Sequence, residues 1–174
     1  MKRIVLIILF SFITLVSCHK DNDDSISQSN ITFNFNHNWD GINVTNANLN
    51  SIIFTNAFGN QMSITKLKYL ISNLSLEKTN GEIIDIDGYY LIDLSNNTTL
   101  SFTPNTLIPA GNYSHVTFTF GFNNDANYNG NYPDLNAASW NVPAMMGGGY
   151  HYMQLEGKFI DNASSEQGYA YHMI

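Results

Sequence analysis

The chain has 174 residues, with 7 Lys and Arg against 14 Asp and Glu and a formal charge of −7. That balance excludes nucleic acid and anionic surfaces as electrostatic partners, because both repel it. A hydrophobic fraction of 44%, with 11 Phe and 10 Tyr, is enough for one packed core, and the length suits one domain.

Lys2 and Arg3 precede an apolar run from Ile4 to Val16, the charged start and short greasy core of a secretory signal. The run is too short to span a bilayer comfortably. It closes on Leu15-Val16-Ser17-Cys18, which resembles the lipobox of bacterial lipoproteins. The resemblance implies that residues 1–17 are removed and that Cys18 carries the lipid tying the mature protein to a membrane. Cys18 is the sole cysteine, so no intramolecular disulfide can form, and acylation leaves no thiol for catalysis. Several acyl chains, at about 0.8 kcal/mol per buried CH₂, make such an anchor effectively permanent.

Residues 18–30 lack apolar periodicity and read as a solvated tether. Its Lys20-Asp21-Asn22-Asp23-Asp24 run resembles the export signal of some surface lipoproteins. An outer-membrane lipoprotein exposed at the cell surface is therefore expected.

Residues 31–174 are predicted to form one all-β domain. Ile31, Phe33, Phe35 and His37 alternate with Thr32, Asn34 and Asn36, as a half-buried strand requires. Asp40-Gly41 makes a turn, and Ile52-Ile53-Phe54 a short strand. Met62 to Glu77 reads as one bent strand or two joined at Ser72-Asn73. Asn80-Gly81 is a hairpin turn leading to strands over Ile83 to Ile86 and Tyr89 to Leu94. After Pro109-Ala110-Gly111, Val116, Phe118, Phe120 and Phe122 face one way and His115, Thr117 and Thr119 the other. Asn123 to Ser139 is a polar loop, Pro143 to Gly149 a Met- and Gly-rich corner, and Tyr150 to Phe159 a further strand. Short strands with frequent turns indicate an antiparallel β-sandwich. Phe33, Phe35, Val116, Phe118, Phe120 and Leu155 are expected in its shared core. The chain stops at Tyr169-Ala170-Tyr171-His172-Met173-Ile174, inside a strand-like run, so the domain is expected to be incomplete at its C-terminus.

Candidate chemistry is sparse. No glycine-rich phosphate loop or nucleophile elbow occurs, and no enzyme is expected. Asp125-Ala126-Asn127-Tyr128-Asn129-Gly130 matches the opening of a calcium loop, but its twelfth position is Asn136, which cannot bind bidentately. His151 is placed by alternation with Met153 and Leu155, and His172 with Ala170. Imidazole suits copper, and thioethers from Met145, Met146 or Met153 favour Cu(I). The same residues also serve as half-buried histidines and gap-filling methionines. His19 belongs to the tether and His115 faces solvent.

Three stretches carry a family resemblance. They are Ile64-Thr65-Lys66-Leu67-Lys68-Tyr69-Leu70-Ile71-Ser72-Asn73-Leu74, Ile108-Pro109-Ala110-Gly111-Asn112-Tyr113, and Gly149-Tyr150-His151-Tyr152-Met153-Gln154-Leu155-Glu156-Gly157. With the closing Tyr171-His172 they resemble the MbnP-like copper-binding domain. The resemblance implies a β-sandwich holding copper through histidine nitrogens, in some members beside a tryptophan oxidised to kynurenine by a partner dihaem peroxidase. His172 stands at the family's closing aromatic-x-His position. Tyr128 stands where some members carry a loop histidine, and Ala144 and Met146 where they carry a tryptophan pair, whereas Trp140 lies earlier. The expectation is one copper ion held by His172 and His151, with His37 next and Met145 and Met146 nearby, for acquisition or storage. The competing expectation is an adhesion or glycan-binding module whose Tyr128, Tyr132 and Trp140 line a shallow groove.

Overall fold

The computed structural model describes residues 27–174; the leader 1–17, Cys18, His19 and the tether through residue 26 lie outside them. Short segments come first: β1 (Gln28–Ser29), β2 (Phe33–Asn34), β3 (His37–Trp39), β4 (Ile42–Val44) and β5 (Phe54–Thr55). Then β6 (Gln61–Lys78) runs for 18 residues and β7 (Ile83–Asp93) folds back along it. The chain continues through β8 (Ser101–Phe102), β9 (Ile108–Pro109), β10 (Tyr113–Phe120), β11 (Met153–Ile160) and β12 (Glu166–Met173).

The stretch from Met62 to Glu77 is thus one bent strand. Thr65 has no opposite number where β11 shifts register, and Asn73, at φ 49°, has none in either flanking ladder. Thr65 is an extra residue against β11 and Asn73 against β10, while β7 carries the extra residue where it passes Asn73, and such bulges bend a strand. Asn tolerates the left-handed conformation better than most side chains. Bending lets β11 pair with the first half of β6 and β10 with the second half, while β5 and β7 also pair with β6. β12 adds to β11, completing a six-stranded antiparallel sheet.

The fold is an all-β sandwich, whose second layer is a set of two-stranded ladders: β1–β9, β2–β8 and β3–β4. Successive residues of β6 feed alternate faces, and the bulge at Thr65 shifts the parity so that Ile64 and Leu67 share one. Ile64 and Leu67 pack with Val44, Phe54 and Leu94, and Leu74 and Leu76 with Ile86 and Ile108, all toward the ladders. Leu70 points the other way, into Phe122, Leu135, Trp140 and Tyr150 from the connection between β10 and β11.

The predicted shared core needs correction. Phe33, Phe35 and Leu155 are half-buried as the alternation requires, but Val116, Phe118 and Phe120 are 57%, 52% and 38% exposed. β10 is a terminal strand of the sheet, and its apolar face extends past the ladders. Phe122 is buried on the opposite face, because Gly121, at φ 88°, turns the chain before it. The polar loop also holds one helical turn, α1 (Pro133–Ala137). Pro133 starts it where no amide partner is needed, and Leu135 is its buried residue.

Candidate functional site

β11 and β12 pair so that Gln154 lies opposite His172 on one side and Lys68 of β6 on the other. One pair along, Glu156 lies opposite both Ala170 and Lys66. Alternation puts Lys66, Lys68, Gln154, Glu156 and His172 on the Leu70 face. The Glu156 carboxylate gathers this row. Its Oε1 accepts a hydrogen bond from Lys66 Nζ at 2.7 Å and lies 2.9 Å from His172 Nε2. The Lys66 bond first, and the His172 contact with it, hold Glu156 below the usual carboxylate range.

His151 enters this face from outside β11. Alternation alone puts it with Met153 and Leu155, but a bend at Tyr152 breaks the strand and turns His151 to the opposite side. Its imidazole is 5% exposed and meets the His172 ring edge-on, with centroids 5.1 Å apart and planes at 77°. On its other side the Trp140 indole lies at 5.7 Å and 65°. Burial first, then the neighbouring His172 and Lys66, lower the His151 pKa from the ordinary imidazole value. His151 Nδ1 and Trp140 Nε1 are both buried without a hydrogen-bond partner among the described residues. Buried polar atoms in native proteins are rarely left so.

Asparagines hold the segment in place. Asn127 accepts from Tyr150 N at 2.7 Å and donates to Tyr150 O at 3.3 Å, and Asn129 accepts from Gly149 N at 2.8 Å. The Tyr150 hydroxyl, in turn, donates to Asn136 at 2.9 Å and accepts from Tyr132 N at 2.9 Å. These are the side chains that a calcium loop would turn onto its ion. They are bonded instead to the Gly149-Tyr150 backbone and the Tyr150 hydroxyl, and Asp125 is exposed, so these side chains do not converge as calcium ligands.

Of the residues expected from the sequence, only His151 and His172 come together. His37 Nε2 lies 3.0 Å from the Tyr69 hydroxyl, and Tyr69 alternates with Leu70. The sheet therefore stands between His37 and the histidine pair. Met145 and Met146 are 93% and 54% exposed at the tip of the excursion closed by the Asn141–Tyr150 bridge, so they face solvent. His115 is exposed beside Glu77. Among the described residues no group of three or more His, Cys, Asp or Glu converges as a metal cluster. The groove expected for glycan is not formed: Trp140 is 1% exposed, and Tyr132 is packed 4.3 Å from Phe122 and 4.7 Å from Tyr89. Sequence reasoning missed the roles of Lys66 and Glu156, and read Asn127 as a cation ligand where it binds the Tyr150 backbone. Gln154 and Glu156 alternate as polar residues with Met153, Leu155 and Gly157, a signal that could have marked the polar face of β11.

A family model described as MbnP matches residues 28–174. Among solved structures, MbnP from Methylosinus trichosporium aligns with a TM-score of 0.58 at 12% identity, covering 85% of this chain and 63% of that one. At that identity the likeness is one of fold, and the chain spans less than two thirds of the solved relative. No curated protein matches.

Proposed function

The chain belongs to the MbnP family, and we propose that it is a lipid-anchored, non-catalytic protein that binds copper as cargo at the cell envelope, for acquisition or storage. The observation that carries this reading is the buried, unpartnered Nδ1 of His151 beside the His172 ring. Imidazole must be neutral to coordinate, and the lowered pKa of His151 keeps it neutral further into mild acid than an exposed histidine. Glu156 orients His172 as outer carboxylates orient metal-binding imidazoles. The residues fit a two-imidazole site, which copper accepts. The proposed ligands are His151 and His172; His37 is bonded to Tyr69, and Met145 and Met146 are exposed.

Titration of the mature protein with copper against a chromophoric competitor tests this. One ion per chain is expected, with affinity weakened about 100-fold or more by His151→Ala or His172→Ala, since losing an orienting group alone costs about 10–100-fold. His37→Ala should bind as the parent does. Unchanged stoichiometry and affinity in both histidine variants, with only a lower melting temperature, would make these core histidines and remove the copper assignment.

The anchor rests on Leu15-Val16-Ser17-Cys18. Full-length protein expressed with Cys18→Ala is expected to leave the membrane pellet and the detergent phase. Retention of that variant in both would refute the lipid.

A further inference from the structure

The β3–β4 hairpin sits over β6 and β11 without closing on them. Beneath it is a cavity of about 300 Å³ with Ile64, Leu67 and Leu155 as floor and His37, Trp39 and Val44 as wall. A second cavity of about 290 Å³ shares Asn36, His37 and Val44 and is bordered by Asn43, Asn46 and Asn97. Asn36, His37 and Val44, the last two paired across the hairpin, are common to an apolar cleft and an amide-lined one, which adjoin there. Packed interiors leave few voids larger than a water molecule, whose share of liquid volume is about 30 Å³. The apolar cleft opens to solvent, so its volume of about 300 Å³ is room that a molecule can enter from outside, and its apolar floor sets it apart from a sealed packing void.

Its walls are held before any ligand arrives. The Trp39 indole donates to Thr55 O at 2.9 Å and lies tilted on Phe54 at 5.3 Å. His37 is held by Tyr69, both through Nε2 and by edge-on ring contact at 5.6 Å. The hairpin closes at Asp40-Gly41, with φ 47° and 84°, and the turn is pinned by Gly41 N donating to Asn38 Oδ1 at 2.6 Å. Such preorganisation removes ordering costs from binding.

Electrostatics narrows the occupant. No Lys, Arg, Asp or Glu lines either cavity. Burial lowers the pKa of His37, so at neutral pH it adds no charge. A charged ligand would lose its hydration and gain no counter-charge. An apolar cavity of about 150 Å³ holds benzene, so about 300 Å³ suits two fused rings or an equivalent aliphatic body. The asparagine amides offer both donors and acceptors to a hydroxyl or amide head.

We propose that this cleft, on the sheet face opposite the histidine pair, binds a small neutral molecule with an apolar body under Trp39 and a hydrogen-bonding head among Asn43, Asn46 and Asn97.

The test uses the chain from residue 18 onward with Cys18→Ser, which needs no detergent, and two probes of one shape. 2-Naphthol is neutral at pH 7 and 2-naphthoate is anionic. Calorimetry should show saturable one-to-one binding of 2-naphthol and about tenfold or weaker binding of 2-naphthoate, the loss expected for an uncompensated charge. Leu67→Phe, which fills the apolar cleft, should abolish binding. The joint Asn43→Ala and Asn97→Ala change, at exposed positions, should weaken it several-fold while leaving the melting temperature in place. Neither added copper nor His151→Ala should alter it, so this site and the copper site stand or fall separately. No saturable 2-naphthol binding, equal affinity for both probes, or wild-type binding in a folded Leu67→Phe protein would overturn the proposal.

Discussion

Trp140→Ala is expected to cost about 3–5 kcal/mol of folding free energy, the range for truncating a fully buried large aromatic. The indole is 1% exposed and belongs to the cluster that covers Leu70 on the main sheet. Its loss also removes one wall of His151, whose ring is otherwise confined by His172. Copper affinity should therefore fall in this variant although the indole is not a proposed ligand. Trp140→Phe separates the two effects. It surrenders some contact area but deletes the buried N–H that has no partner, and such an unsatisfied group costs about 1–3 kcal/mol. The phenylalanine variant should thus lie within about 2 kcal/mol of the parent and keep its copper affinity, because an aromatic wall against His151 remains. Chemical denaturation of the three proteins, followed by copper titration of those still folded, reads both quantities. A phenylalanine variant as damaged as the alanine one would mean that the indole nitrogen is bonded after all.

The sandwich was legible because alternation is a physical property of strands, and the stretches of β6 on either side of its bulges carry it. Which faces are covered was not. Val116, Phe118 and Phe120 alternate as well as any buried stripe, yet coverage depends on ladders such as β1–β9 that are two residues long. No pattern announces a strand of two residues. The candidate histidines show the same limit. His151 and His172 are plain in the sequence, but their adjacency comes from the register that sets Gln154 against His172 and from the bend at Tyr152. His37 shared their chemistry and lies across the sheet from them. Trp140 lies eleven residues before His151 in the chain, and folding brings the two rings together. The asparagines between Asn127 and Asn136 had the spacing of cation ligands, but an amide caps a backbone as readily as it binds an ion. Only their partners decide which.

Gly157→Ala is expected to destabilise the protein by about 3 kcal/mol, at the upper end of what overpacking a rigid site costs. Gly157 has ordinary strand geometry and is required for room. A Cβ there would lie 2.0 Å from the Ser63 carbonyl oxygen and 2.6 Å from the Tyr169 hydroxyl. The carbonyl belongs to the central strand and cannot swing aside as a flexible side chain would. Tyr169 crosses over Gly157, its pair on β11, to donate a hydrogen bond to that same oxygen at 2.9 Å. One methyl group therefore strikes the backbone and breaks the cross-strand bond together. Tyr169→Phe is the control, for it loses the bond and keeps the space, and it should cost only about 1 kcal/mol. Glu156, next in sequence, bridges Lys66 and His172, so strand displacement at Gly157 should also carry the carboxylate off His172 and weaken copper. Tyr169→Phe should leave copper affinity unchanged. Equal stabilities for the Gly157→Ala protein and the parent would show that β6 and β11 can separate at this bulge.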